Sequence, residues 1–129
     1  IIKPNLVEFR QMCGSDLRTE QSIIKLSRTL SSYVDHVLVS LGSKGLIYTG
    51  KDCGYRLRTL SVNVKSTIGA GDTTLAGFIH SLQQGNSPQE AITYAVAAGS
   101  ASVMLDGTDI VTPKQVEEQI PNVAVKSIR

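Results

Sequence analysis

The chain has 129 residues, 41% of them hydrophobic, and a formal net charge of +2. A chain of this length buries roughly two-thirds of its unfolded surface, enough for a compact unit with its own core. The small charge and scattered basic residues argue against nucleic-acid binding, and no run is apolar enough to span a membrane or built like a secretion signal, so a cytoplasmic protein is expected.

A strand end at 1–3 is stopped by Pro4, and Asn5 stands where it would cap a helix beginning at Leu6. Glu8 follows three residues later, the spacing of a capping box. A second helix is predicted over 19–33, its buried face marked by Ile23, Ile24, Leu26 and Leu30. Val37, Leu38 and Val39 form a continuous apolar run suited to a strand covered on both faces, the pattern of a parallel sheet flanked by helices. Gly42 and Gly45 punctuate a turn into a short strand at 46–48, and 50–52 reads as a hairpin tip before a strand over 55–60. Val62 and Val64 keep strand-like composition up to Ser66, and Leu75, Ala76, Phe78, Ile79 and Leu82 then recur at helical spacing. The segment between therefore reads as a strand–turn–helix joint. After a break at 85–88, with Ser87 as a cap and Pro88 at the first helical position, an Ala-rich helix is predicted over 89–105. Thr112 and Pro113 start a last helix to Ile120, and the tail over 121–129 is expected to be mobile. His36 and His80 have no Ser, Cys or second His at a telling distance and read as non-catalytic. Cys13 and Cys53, at neither metal nor disulfide spacing, read as reduced thiols.

The segment Ser66-Thr67-Ile68-Gly69-Ala70-Gly71-Asp72 carries the most chemistry. Glycine reaches backbone angles closed to other residues and lets the main chain approach a ligand. The first turn of a helix leaves N–H donors unpaired, and its dipole favours an anion such as phosphate. Asp72, delivered to that helix start, could accept the proton of an attacking hydroxyl. A plain helix cap is the structural alternative for Gly and Asp here. Neither the three-glycine dinucleotide fingerprint nor a P-loop is present.

The stretch 66–77 resembles the second signature of the ribokinase-like, or pfkB, family of carbohydrate kinases. Lys3-Pro4-Asn5 with Glu8 resembles the family's strand end and Asn-x-x-Glu motif. Val37-Leu38-Val39-Ser40-Leu41-Gly42-Ser43-Lys44-Gly45 resembles its nucleotide-binding strand and turn, and Ala97-Ala98-Gly99-Ser100-Ala101 its helix beside the adenine. The Lys-Pro-Asn start, and the apolar Ile68 before an intact Gly-Ala-Gly-Asp, point to the branch of 6-phosphofructokinase, 1-phosphofructokinase and tagatose-6-phosphate kinase. The resemblance implies an α/β fold. Residues 1–129 would be the C-terminal, nucleotide-binding part of a ribokinase-like three-layer domain, with a mostly parallel sheet flanked by helices. Members carry their sugar-binding strands and lid before this segment, so a fragment that is inactive alone is expected. Its exposed strand edges are expected to pair with another copy.

The same resemblance implies transfer of the ATP γ-phosphate to a hydroxyl of a sugar phosphate such as fructose or tagatose phosphate. Asp72 would be the base, and the N–H groups of Gly69, Ala70 and Gly71 the anion hole. Lys3, Asn5, Ser40, Gly42, Gly45, Val96, Gly99 and Ser100 would contact the nucleotide. Asn5 and Glu8 would organise Mg²⁺ through water. Ser66, Ile68, Ser102, Leu105, Gly107 and Asp109 would hold a monovalent cation such as K⁺, mainly through carbonyls. Two readings from other classes stand beside it: a non-catalytic ATP-binding domain, and a dinucleotide-dependent oxidoreductase domain, which the glycine spacing opposes.

Overall fold

The structure, a computed structural model, describes residues 1–14, 17–107 and 109–128. The chain divides into two compact units, Ile1–Arg56 with Lys126–Arg129, and Leu57–Val125.

In the first unit, helices α1 (Leu6–Cys13) and α2 (Glu20–Leu30) precede strands β1 (His36–Ser40), β2 (Leu46–Gly50) and β3 (Gly54–Leu57). Helix α1 begins at the expected cap, where Asn5 Oδ1 accepts from the Glu8 N–H; α2 begins one residue after its predicted start, with Thr19 as the cap, its Oγ1 accepting from the Ser22 N–H. Helix α2 stops at Leu30, short of Tyr33, and Ser31 caps it through its own N–H. Apolar side chains from α1, α2, β1 and β2 form one core around Phe9, Ile23, Ile24, Val37, Val39 and Ile47. Val37, Leu38 and Val39 are all fully buried, as a strand covered on both faces requires.

The sheet order is β1-β2-β3-β4, with β4 at Val125–Ser127. The expectation of a mostly parallel sheet fails here, because β1 and β2 pair antiparallel with His36 opposite Gly50 and Ser40 opposite Leu46. Five residues separate them, whereas a parallel neighbour needs a crossover of roughly a dozen or more. Burial on both faces reports covering layers and carries no information on strand direction. Parallel pairing occurs at the other edge of β1, where Ile2 bridges Val37 and Asn5 bridges Ser40 after the crossover through α1 and α2. The tail also departs from expectation. Residues 120–122 form a 3₁₀ turn, and β4 follows, with the Ile128 N–H donating to the Gly54 carbonyl at 2.9 Å. Arg129 lies outside the described residues.

The second unit is helical: α3 (Ala70–Gln83), α4 (Pro88–Val103) and α5 (Pro113–Gln119). Ser87 and Thr112 cap α4 and α5 with full capping boxes and a proline in the first turn. Helices α3 and α4 approach closely because glycine and alanine face each other; a Cβ on Gly77 would lie 3.0 Å from that of Ala98. Val116 of α5 packs on Ala97 and Ala98. The predicted strand over 55–60 ends at Leu57, and Val62 and Val64 form no strand. Instead, the N–H groups of Lys65 and Ser66 both donate to the Val103 carbonyl, at 2.7 and 3.2 Å, so the loop is pinned to the end of α4. The expected strand–turn–helix joint is thus a loop–turn–helix joint.

Candidate functional site

In the first unit, the parallel pairing of residues 2–5 with β1 ends side by side at Asn5 and Ser40. The start of α1 and the turn after β1 therefore leave from the same carboxyl end of the sheet, where open α/β sheets place their ligands. The turn is a 3₁₀ segment, Gly42–Lys44, and Gly42 (φ 60°) and Gly45 (φ 100°) both take positive φ there. A cleft of about 470 Å³ beside α1 is lined by Ile2, Lys3, Pro4, Glu8, Gln11 and Met12. The structure thus places Lys3, Asn5, Glu8, Ser40, Gly42 and Gly45 at one end of one sheet.

Asn5 and Glu8 do form the capping box that their spacing predicts. The Asn5 N–H donates to Glu8 Oε2 at 2.9 Å and the Glu8 N–H to Asn5 Oδ1 at 2.8 Å. Among the described residues the other carboxylate oxygen, Oε1, has no hydrogen-bond partner, and the side chain is exposed. One oxygen left open fits an ion held through water, the habit of Mg²⁺, which gives up its hydration reluctantly.

In the second unit, Gly69 stands before α3 with φ 75° and ψ 1°, the left-handed region in which glycine is favoured. The N–H groups of Gly69, Gly71 and Asp72 have no partner among the described residues, and Gly69, Gly71 and Asp72 are exposed. These orphan donors at a helix N-terminus fit an anionic phosphate group. Ala70 departs from its expected role: its N–H turns to the Thr67 carbonyl at 3.3 Å and is not a free donor. The Asp72 N–H, which the sequence reading left out, takes its place. The Asp72 carboxylate makes no hydrogen bond or ion pair among the described residues and faces solvent.

On α4, Val96, Gly99 and Ser100 are buried. The missing side chain of Gly99 is not space for a flat ligand, since a Cβ there would overlap Thr74 Oγ1. Its smallness serves the contact between α3 and α4. The residues expected to hold a monovalent cation are partly gathered: the bond to Val103 brings Ser66 to the end of α4, which carries Ser102 and leads into Leu105 and Gly107. A helix C-terminus, where carbonyls point outward and the dipole is negative, suits a cation. Ile68 is 70% exposed and donates its N–H to Ser66 Oγ, and Asp109 is exposed, its N–H on the Asp106 carbonyl. Among the described residues no three His, Cys, Asp or Glu side chains gather to hold a metal.

The sequence reading also missed the threonines after Asp72. Thr73 Oγ1 donates to the Gly69 carbonyl at 2.9 Å and Thr74 Oγ1 to the Ala70 carbonyl at 2.8 Å. Their signal was present, as two hydroxyl residues four positions after the turn's own carbonyls.

The sequence matches the family model for pfkB family carbohydrate kinases over residues 1–115. It is 33% identical over 106 residues to the 1-phosphofructokinase of Borreliella burgdorferi, covering 81% of this chain and 34% of that protein. Among solved structures it resembles a candidate phosphofructokinase from Staphylococcus aureus, with TM-score 0.87 and 30% identity over 98% of this chain and 41% of that one. It also resembles phosphofructokinase-2 from Escherichia coli in complex with potassium, with TM-score 0.85 and 25% identity over 92% of this chain and 39% of that one. The chain spans about a third of the length of the curated relatives it matches.

Proposed function

The chain belongs to the pfkB family of carbohydrate kinases, and we propose that it supplies the nucleotide-binding part and the base for ATP-dependent phosphoryl transfer to a hydroxyl of a sugar phosphate. The observation that carries the reading is the set of three N–H donors at Gly69, Gly71 and Asp72 that have no partner among the described residues, beside an exposed carboxylate on the same helical turn. Relatives named 1-phosphofructokinase support a phosphorylated ketohexose, such as fructose or tagatose phosphate, as the acceptor.

Bound Mg-ATP would supply the transferable phosphoryl group and neutralise part of its charge. The chain's residues do the rest. Gly69, Gly71 and Asp72 present N–H dipoles to the charge that develops on the phosphoryl oxygens, the electrostatic contribution that usually dominates. Asp72 takes the proton of the attacking hydroxyl, a contribution of about 10²–10⁴ in rate. Lys3, Asn5, Ser40, Gly42 and Gly45 hold the nucleotide, Glu8 orients the water shell of Mg²⁺, and Val96 and Ser100 line the adenine. Ser66, Ile68, Ser102, Leu105, Gly107 and Asp109 hold a monovalent cation such as K⁺ near the end of α4.

Calorimetric titration tests the binding half, with Mg-ATP added to the chain and to Asp72→Asn. Comparable binding by both and none of NAD is expected; a folded chain that prefers NAD overturns the reading. The catalytic half is tested by joining the chain to a sugar-binding half from a relative, where Asp72→Asn should lower kcat by about 10²–10⁴ with little change in KM for ATP.

A further inference from the structure

We propose that Thr74 and Gly99 are a positioning pair that fixes the direction of the Gly71 N–H; the proposal rests on the phosphate-binding reading of the turn. Thr74 Oγ1 donates to the Ala70 carbonyl at 2.8 Å. That oxygen, as the first helical carbonyl of α3, also takes the Thr74 N–H; it and the Gly71 N–H belong to one rigid planar peptide unit and point in opposite directions, so the hydroxyl as a second hold on the oxygen helps to aim the hydrogen. A carbonyl that accepts a hydrogen bond also polarises its peptide and strengthens the N–H as a donor.

Gly99 on α4 makes room for this hydroxyl. A Cβ at position 99 would overlap Thr74 Oγ1, yet would stand 3.5 Å from Thr74 Cβ and 3.6 Å from the Ala70 carbonyl oxygen, both ordinary contacts. The hydroxyl alone is therefore the obstacle. Gly77 supplies the comparison, because the three atoms nearest to a Cβ there belong to Ala98, Ala95 and Tyr94, all on α4. Both glycines let the helices approach, and one of them also reaches the anion-binding peptide.

The test uses ¹⁵N-labelled chain, reading the Gly71 amide resonance and the melting temperature. Gly99→Ala should displace the resonance and lower the melting temperature. Thr74→Val should displace the resonance without the clash, which covers the case in which Gly99→Ala fails to fold. Thr74→Ser, which keeps the hydroxyl, should leave the resonance in place. The double variant Thr74→Ala/Gly99→Ala should melt close to Thr74→Ala while the resonance stays displaced. Gly77→Ala should lower the melting temperature and leave Gly71 unmoved. Mg-ATP should bind about tenfold more weakly to Thr74→Val and normally to Thr74→Ser, the effect of misdirecting one donor to a charged group. A Gly71 resonance unmoved in Thr74→Val, or moved equally by Gly77→Ala, overturns the proposal. If the resonance responds as expected but the parent chain binds no Mg-ATP, the hold on Gly71 is supported and the phosphate-binding reading is overturned.

Discussion

Ser27 on α2 and Thr49 on β2 hydrogen-bond through their hydroxyls at 2.6 Å, with both residues at 0% exposure. A buried hydroxyl left alone costs about 1–3 kcal/mol, whereas removing both partners together can be nearly neutral. Ser27→Ala should therefore lose about 1–3 kcal/mol, and Thr49→Val added to it should recover much of that loss. Urea unfolding of the four members of the cycle checks this, and simple additivity would contradict it. His36 Nδ1 lies 2.9 Å from the buried Tyr48 hydroxyl. Burial holds the imidazole below its usual range, and neighbouring Asp35 opposes this. Burial likewise raises the Tyr48 phenol, with Cys53 and Tyr55 contributing. A base with a depressed folded pKa binds its proton more readily when unfolded, so stability falls as pH drops through about 6.5 towards the folded value. Unfolding at pH 7.5 and 5.5 should show this loss, and His36→Gln should remove part of it.

The start of α1 has two roles to divide. Its capping box uses Glu8 Oε2, and glutamine at that position can cap in the same way. Glu8→Gln should then leave the melting temperature near that of the parent while weakening the Mg²⁺ dependence of ATP binding several-fold, as calorimetry with and without the ion will read. An unchanged Mg²⁺ dependence would reduce Glu8 to a cap. In α2, the buried Arg56 guanidinium from β3 pairs with Glu20 in the first turn, joining helix to sheet by charge as well as by packing. Because Glu20 is half exposed, Glu20→Gln should cost at most about 1–3 kcal/mol in chemical unfolding.

At the scale of the whole molecule, residues 2–5 form a parallel edge on which the Lys3 N–H and carbonyl have no backbone partner among the described residues. Such an edge invites another strand. Sedimentation velocity should show a mass that rises with concentration, and a concentration-independent monomer would contradict it. What the sequence announced was local. Asn5 and Ser87 cap the helices they were expected to cap, and Thr112 stands at the start expected of the last helix, because a helix start is settled within four residues. The Gly69–Asp72 turn was legible for the same reason. Strand direction was not, because burial of Val37 to Val39 is the same in either orientation and the five-residue link decides. Nor was β4, whose partner β3 lies far away in the sequence, or the loop over 58–68, whose N–H groups at Lys65 and Ser66 are taken by α4. The smallness of Gly99 was open to two readings, because a small residue serves a ligand and a helix contact equally well, and only the position of Thr74 shows that the helix contact uses it.

Gly69 has φ 75° and nothing within 4 Å of the place where a Cβ would sit, so space is not what selects glycine there. Handedness is. The position asks for a mirror-image residue, and a D-alanine introduced by chemical ligation would satisfy the backbone while an L-alanine would strain it. The turn at the head of α3 is thus a point at which a chain of L-residues borrows the other hand, and a synthetic chain can supply that hand directly.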